Sequence, residues 1–398
     1  MLALASIALV LTMSQPSDLD TLLKNLDSSD RETRLAAIVG LAEHGPKAKP
    51  AVRELVALLK MNDEELRLNA AVTLGKIGGE AVVEVAKLLD GTDVDARYYA
   101  LSALGWIGPD AKSATGKILT IANDKDAGLR AKSAFALGRV GADPKIAIKP
   151  LLKLLTEENE AVRVSAGDAL SRFKANAVPG LIEALKDDAV GMRIEAARAL
   201  GAIGVDAKDA IPTLQHVAGD ANDKSADEAV RALVKLGKPA FGAIAMLLDD
   251  VKLEARQRTV KSLEKAGASA SVVLANALTS KHLDVRREAS RSLVVLNLRE
   301  EAIIPGLTQA LRDPDIEVRR HVMQALLRVA VGAHKAVPNL IVNLKDANVE
   351  IRLLALSVLR EIPGESEAVV RAVTPLLQDP DDNVRRLAKE VLEFQGKP

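Results

Sequence analysis

Apolar residues recur along this chain in short helical bursts, and the bursts themselves repeat. The stretch "ELRLNAAVTLGKIG" puts Leu66, Ala70, Leu74 and Ile77 at −1, +3, +7 and +10 counted from Arg67. Spacings of three and four place those side chains on one face of an α-helix. The phrase returns as "ETRLAAIVGLAEHG" at Arg34, "DARYYALSALGWIG" at Arg97 and "GLRAKSAFALGRVG" at Arg130. It continues with "AVRVSAGDALSRFK" at Arg163 and "GMRIEAARALGAIG" at Arg193, then at Arg256, Arg286, Arg319, Arg352 and Arg385, with Ala226 filling one slot. Anchors lie 30 or 33 residues apart, and +7 is Leu in all twelve units. A period of this length marks a stacked array of small helical units rather than two or three globular domains.

Polar residues punctuate each unit. Position −4 is Asp at Asp30, Asp63, Asp93, Asp126, Asp315 and Asp381, and Asn at Asn159, Asn222 and Asn348. These are strong N-cap residues, so a helix, here termed B, starts there. Gly stands at +11 at Gly45, Gly78, Gly108, Gly141, Gly204, Gly237 and Gly267, among others, where it closes the helix. A second apolar-periodic segment precedes each cap and predicts an A helix. Several open with proline (Pro50, Pro150, Pro179, Pro212, Pro239, Pro305 and Pro338), which a first helical turn accepts.

The order Asp93, Arg97, Ala100, Leu104, Gly105, Gly108 resembles the HEAT repeat, and is most similar to the short HEAT-like repeat of the phycobilisome-lyase type. The resemblance implies an all-α superhelix of the ARM/HEAT kind, about twelve hairpins over residues 17–398. It implies a ladder of paired Asp and Arg columns between repeats. Functions in such families run from scaffolds and adaptors to lyase subunits and a few enzymes. Stacking would give the array a concave face lined by B helices. Repeats 7 and 8 depart most from the pattern, with Ala226 for the arginine, Lys252 for the cap and Glu264 for the glycine at +8. The most flexible joint is expected across residues 220–265.

Composition narrows the chemistry. Lys plus Arg and Asp plus Glu are 54 each, so the chain is not built as a whole to follow nucleic acid or an anionic membrane. There is no Cys, which excludes disulfides, thiolate nucleophiles and cysteine-ligated metals. The five His stand in different repeats without an i,i+4 pair, so no metal motif is present. Neither a GxGxxG nor a P-loop occurs, and no cofactor is called for. Two Ser-x-x-Lys matches, Ser171–Lys174 and Ser262–Lys265, share one phase of the repeat and read as coincidence. The opening "MLALASIALVLTMS" has the length of a signal-peptide core and is too short to span a bilayer. Cleavage of residues 1–14 and export to a periplasmic or extracellular compartment are expected.

The rings are the remaining local signal. The single Trp and both Tyr lie between Tyr98 and Trp106. With +2, +5 and +9 on one face, Tyr99 and Trp106 of repeat 3 join Lys132, Phe135 and Arg139 of repeat 4, flanked by Lys76 and Arg172. Aromatic and arginine residues are what binding hot spots use. A secondary basic patch is expected at Arg258, Lys261 and Arg291; Glu195, Glu228 and Glu288 stand three residues before Arg198, Arg231 and Arg291 and neutralise them, so that Arg258 and Lys261 are expected to keep uncompensated charge. The function expected is a non-catalytic scaffold that holds a protein or peptide on its concave face. The alternatives are a bilin-lyase-like subunit acting on a chromophore protein and a nucleic-acid-binding HEAT-like enzyme.

Overall fold

Each period folds as a helical hairpin, a short A helix followed by a longer B helix. The computed structural model describes residues 18–220, 224–362 and 367–395; the 1–14 leader and the Asn222 cap lie outside them. Among the described residues all regular structure is helical, and the chain divides into two compact units between Ala199 and Leu200.

In the first unit the A and B pairs are α1 (Leu19–Asn25) with α2 (Arg31–His44), α3 (Val52–Leu58) with α4 (Glu64–Ile77), and α5 (Val82–Lys87) with α6 (Val94–Ile107). They continue as α7 (Thr115–Ile121) with α8 (Ala127–Leu137), α9 (Pro144–Leu154) with α10 (Glu160–Arg172), and α11 (Val178–Ala184) with α12 (Val190–Ile203), the last helix crossing the divide. The second unit holds α13 (Ile211–Gly219) with α14 (Ala226–Leu236), α15 (Phe241–Leu248) with α16 (Leu253–Ala266), and α17 (Ser271–Ala277) with α18 (Leu283–Val295). It ends with α19 (Ile304–Ala310) and α20 (Ile316–Leu326), α21 (Val337–Asn343) and α22 (Val349–Glu361), and α23 (Glu367–Val373) and α24 (Asp382–Gln395).

The caps sit where the sequence places them. The side chains of Asp30, Asp63, Asp93, Asp126, Asn159, Asp315, Asn348 and Asp381 each accept from a backbone amide in the first turn of the following B helix, as in Thr33 N to Asp30 at 2.8 Å. Lys252 and His282 occupy the cap position of α16 and α18 without a side-chain bond to a first-turn amide. At the other end, the described +11 glycines, Gly45 to Gly267, have φ between 53° and 83°. The two non-glycine residues with positive φ, Lys174 (50°) and Asn297 (49°), stand at +11 of the units anchored at Arg163 and Arg286. Every one of these turns therefore needs the left-handed conformation, which glycine adopts without a Cβ clash.

Prolines follow the expectation in part. Pro179, Pro212, Pro305 and Pro338 lie in the first turns of α11, α13, α19 and α21. Pro50 and Pro239 instead lie in 3-10 turns just before α3 and α15. Pro150 is inside α9, because the Asp143 cap and Pro144 start that helix earlier.

The core is the stack of B helices on each other and on their A partners. The +7 leucines from Leu41 to Leu359 are buried, and Leu392 of the final hairpin is half-buried. The buried arc is wider than the −1, +3, +7, +10 stripe: +4 and +6 are buried as well, as at Leu101 and Ala103 or Ala134 and Ala136. A B helix packed between two other B helices must cover both flanks.

Arginine zero is consumed by this packing. Arg130 donates from one terminal nitrogen to the carbonyls of Asp124 and Lys125, tying down its own A-to-B turn, and from the other to Glu157 of the next hairpin. Arg97–Asp124, Arg319–Asp346 and Arg352–Asp379 repeat the bridge at 2.7–2.8 Å. The acidic column of the ladder is thus −6, and −4 is occupied with capping. The −6 carboxylate also accepts from the −4 amide, as in Asp126 N to Asp124 at 2.9 Å, so one side chain shapes the turn and receives the neighbour's charge. Where −6 is Gly91 or Ser280, the arginine takes the −2 residue instead: Arg67–Asp95 and Arg256–Asp284. Where it is Met61, Arg34 holds, among the described residues, the Ser28 and Ser29 carbonyls and no carboxylate.

Candidate protein-binding surface

The aromatic cluster lies wholly in the first unit, on α6 (Tyr98, Tyr99 and Trp106) and α8 (Phe135), with Lys76 and Arg172 at the C-terminal ends of the flanking α4 and α10. Its layout follows from glycine at +8. A Cβ on Gly75 would stand 2.7 Å from the Trp106 Cβ, and one on Gly105 would stand 2.5 Å from the Phe135 ring. A Cβ on Gly138 would meet the Arg172 Cδ at 3.1 Å. Absent side chains on one helix leave seats for a ring or a long stem on the next.

Trp106 is 38% exposed, whereas Tyr99 is only 9% exposed. The expectation that Tyr99 belongs to the binding face is therefore corrected. Position +2 lies beside the buried +6 column, and the Arg67 guanidinium covers the ring at 5.4 Å from its centre. Burial, with the Glu64 charge, pushes the Tyr99 phenol above its ordinary value. Phe135 is half-buried over Gly105.

Three of the rings hold cations. Lys132 Nζ sits 4.4 Å from the Tyr98 ring centre and 5.1 Å from that of Phe135. The Arg139 guanidinium stacks 4.6 Å from Phe135. Tyr98, which pattern reasoning left out of the surface, thus organises it; its +1 position on the shoulder of the helix was the available signal. Arg139 is half-buried, and its pKa is lowered by burial and by the charge of Arg172 beside it. Lys76, Lys132, Arg139 and Arg172 form no ion pair with a carboxylate among the described residues, although Asp168 precedes Arg172 by one turn. Next to Arg172 a cleft of about 310 Å³ opens between the ends of α8 and α10, lined by Gly138, Pro144, Phe173 and Lys174 among others.

The secondary patch differs. Arg291 pairs with Glu264 at 3.0 Å and with Glu288, and Arg258 approaches Asp227 at 3.7 Å and donates to the Asp220 carbonyl. The expectation that Arg258 keeps uncompensated charge is corrected: α14 supplies Asp227 to it. Lys261 is exposed. Arg198–Glu195 and Arg231–Glu228 pair within their helices as the spacing predicts. Among the described residues no cluster of three or more His, Asp or Glu could hold a metal, and no helix is long and apolar enough to cross a membrane. Of the Ser-x-x-Lys pairs, Ser171 Oγ donates back to the Asp168 carbonyl and Ser262 is buried.

A family model for HEAT repeats matches residues 19–105, 84–171, 148–234, 178–264, 270–341 and 304–393. The chain belongs to the HEAT-repeat family. Among solved structures, this HEAT-repeat chain is similar to Kap121p bound to Ste12p and to Kap121p bound to Nup53p, each at 13% identity and TM-score 0.53 over 94% of this chain and 48% of that one. It therefore spans about half the length of Kap121p. An engineered protein matches at 24% identity and TM-score 0.35 over 96% of this chain and 99% of its own. No curated protein matches the sequence. The helical solenoid architecture of the HEAT repeats is shared by both Kap121p structures.

Proposed function

We propose that this HEAT-repeat protein is a non-catalytic scaffold that holds a protein or peptide partner on the B-helix surface of α4, α6, α8 and α10. One observation carries the reading. In a chain whose repeat arginines are tied to carbonyls and carboxylates, Lys76, Lys132, Arg139 and Arg172 line successive hairpins on either side of a part-exposed Trp106 and form no ion pair with a carboxylate among the described residues. Trp and Arg dominate binding hot spots, and the inner faces of solenoids are extended binding surfaces. The two Kap121p structures, which hold bound Ste12p and Nup53p, support the use of this fold for partner chains by analogy. No observation favours the bilin-lyase-like or nucleic-acid readings over it. Export by the 1–14 leader is proposed alongside, and mass spectrometry of the mature N-terminus tests it.

The experiment is selection of peptides from a random displayed library on the full chain and on a Lys76→Glu/Arg172→Glu variant, both sites being exposed. Sequences enriched on the wild type and lost on the variant support the reading. Failure to enrich any peptide on the wild type, or equal enrichment on both, overturns it.

A further inference from the structure

The partner's chemistry can be read from the way the surface is assembled, on the footing of the function just proposed. The four +9 residues Lys76, Trp106, Arg139 and Arg172 form a continuous track. Trp106 seats on Gly75 beside Lys76, Phe135 on Gly105 beside Trp106, Arg139 on Phe135, and Arg172 on Gly138 beside Arg139. Neighbouring packed helices lie about 8–10 Å apart. An extended polypeptide rises about 3.3 Å per residue, so it advances about three residues for each helix it crosses.

We propose that this track binds an extended acidic segment of a partner polypeptide, three residues per helix, with carboxylates opposite Lys76, Arg139 and Arg172 and an apolar side chain against Trp106. Charge complementarity selects the occupant. The guanidinium of Arg139 is held in place by Phe135 and crowded by Arg172, so an arriving carboxylate meets a cation that is already oriented and unneutralised. A single-stranded nucleic acid is disfavoured by the rings. Stacking platforms offer successive bases an open aromatic face, whereas Tyr98 and Phe135 are covered by Lys132 and Arg139, leaving Trp106 as the water-facing ring of the track.

The test uses Trp106, the only tryptophan, as the probe. The full chain is titrated with a synthetic peptide of about ten residues carrying Asp at its first, seventh and tenth positions, Leu at its fourth, and Ser and Gly elsewhere. Controls are a scramble of the same composition, a peptide with Lys for Asp, and a uridine oligonucleotide of equal charge. The expected result is a shift of the emission with the first peptide. The scramble should bind about tenfold more weakly, the Lys peptide should not bind, and 0.5 M salt should weaken the complex about tenfold, as screening of exposed charges requires. Lys76→Glu/Arg172→Glu should lose the response with an unchanged melting curve. Equal binding of the scramble overturns the three-residue register, and tighter binding of the oligonucleotide overturns the polypeptide occupant. If no acidic peptide binds while library selection yields neutral or basic ones, this inference fails and the scaffold reading stands; if selection yields nothing on the wild type, the scaffold reading itself fails.

Discussion

Arg97 reaches 2.8 Å across to Asp124 of the next hairpin, and both side chains are only 15% exposed. The same carboxylate accepts from the Asp126 amide, so it fixes the turn that starts α8 while receiving the preceding hairpin's charge. Asp124→Ala removes both contacts and leaves a mostly buried guanidinium without its anion, at a cost of about 1–3 kcal/mol. The converse change is informative because Met61 occupies the same −6 position and Arg34 has no carboxylate there. Met61→Asp should complete the rung and stabilise the first unit by about 0.5–1 kcal/mol. Urea unfolding of the two variants checks both signs.

The ladder also fixes an acid limb of stability. The Asp124 carboxyl lies below its ordinary value through the Asp126 amide and Arg97. Burial would raise Asp379, but Arg352 and the Asp381 amide outweigh it and hold it low as well. A depressed carboxylate contributes fully above the ordinary aspartate value of about 4, and that contribution is lost as pH falls through its folded value. Thermal melts should therefore be flat from neutrality to about pH 5 wherever carboxylates alone titrate, then fall steeply.

His321 predicts a separate, milder slope. Burial and the Arg320 charge lower its pKa, and its ring packs against Ser290 with Nδ1 at 3.1 Å from the hydroxyl. The fold prefers the neutral ring, so stability is full above about 6.5 and declines as pH falls toward the folded value. His321→Gln should flatten the change in melting temperature between pH 7 and 5; an unchanged slope would assign it elsewhere.

The +11 turns give a clean backbone experiment. A Cβ on Gly78 would meet nothing within 4 Å, so Gly78→Ala tests conformation alone, and at φ 83° and ψ −146°, where glycine is nearly the sole occupant, it should cost about 1–3 kcal/mol. Lys174 stands at the same +11 position with a positive φ of 50°, which a side chain disfavours, and Lys174→Gly should recover about 1 kcal/mol. Asn297→Gly should gain less, because asparagine tolerates the left-handed region.

Much of the architecture was readable because each structural demand falls on a fixed phase of the repeat. Leu104, Asp93 and Gly108 could each be assigned from spacing alone, and each does what its spacing implies. The ladder was misplaced by two residues because Asp at −4 has an obvious capping role and hides the acid at −6, as at Asp124, Glu157 and Asp346. Tyr99 was misread for a different reason. A helical wheel with one apolar stripe does not represent a helix packed on both flanks, and +2 falls beside one flank. The pairing of Arg258 with Asp227 depends on how two hairpins stack, which no single repeat encodes.

Repeats 7 and 8 offer a dynamic prediction within the second unit. Ala226 contributes no guanidinium to its turn, and Lys252 caps no amide at the start of α16. Local openings are cheapest where such ties are fewest. Amide exchange in α14 and at the uncapped start of α16 should be faster than in α20 and α22, which have both a side-chain cap and an arginine bridge, to Asp346 and Asp379. Equal protection along the unit would show that apolar packing alone sets the local stability.

Trp106 faces water near cations that form no ion pair among the described residues, and the proposed binding surface depends on it. Collisional quenching of its emission by iodide and by caesium at low ionic strength tests this directly, since the signal has one source. The predicted result is red-shifted emission that iodide quenches several-fold more efficiently than caesium, with the preference reduced in the Lys76→Glu/Arg172→Glu variant. Blue-shifted emission protected from both ions, or equal quenching by the two, would contradict it and make the ring a packing element.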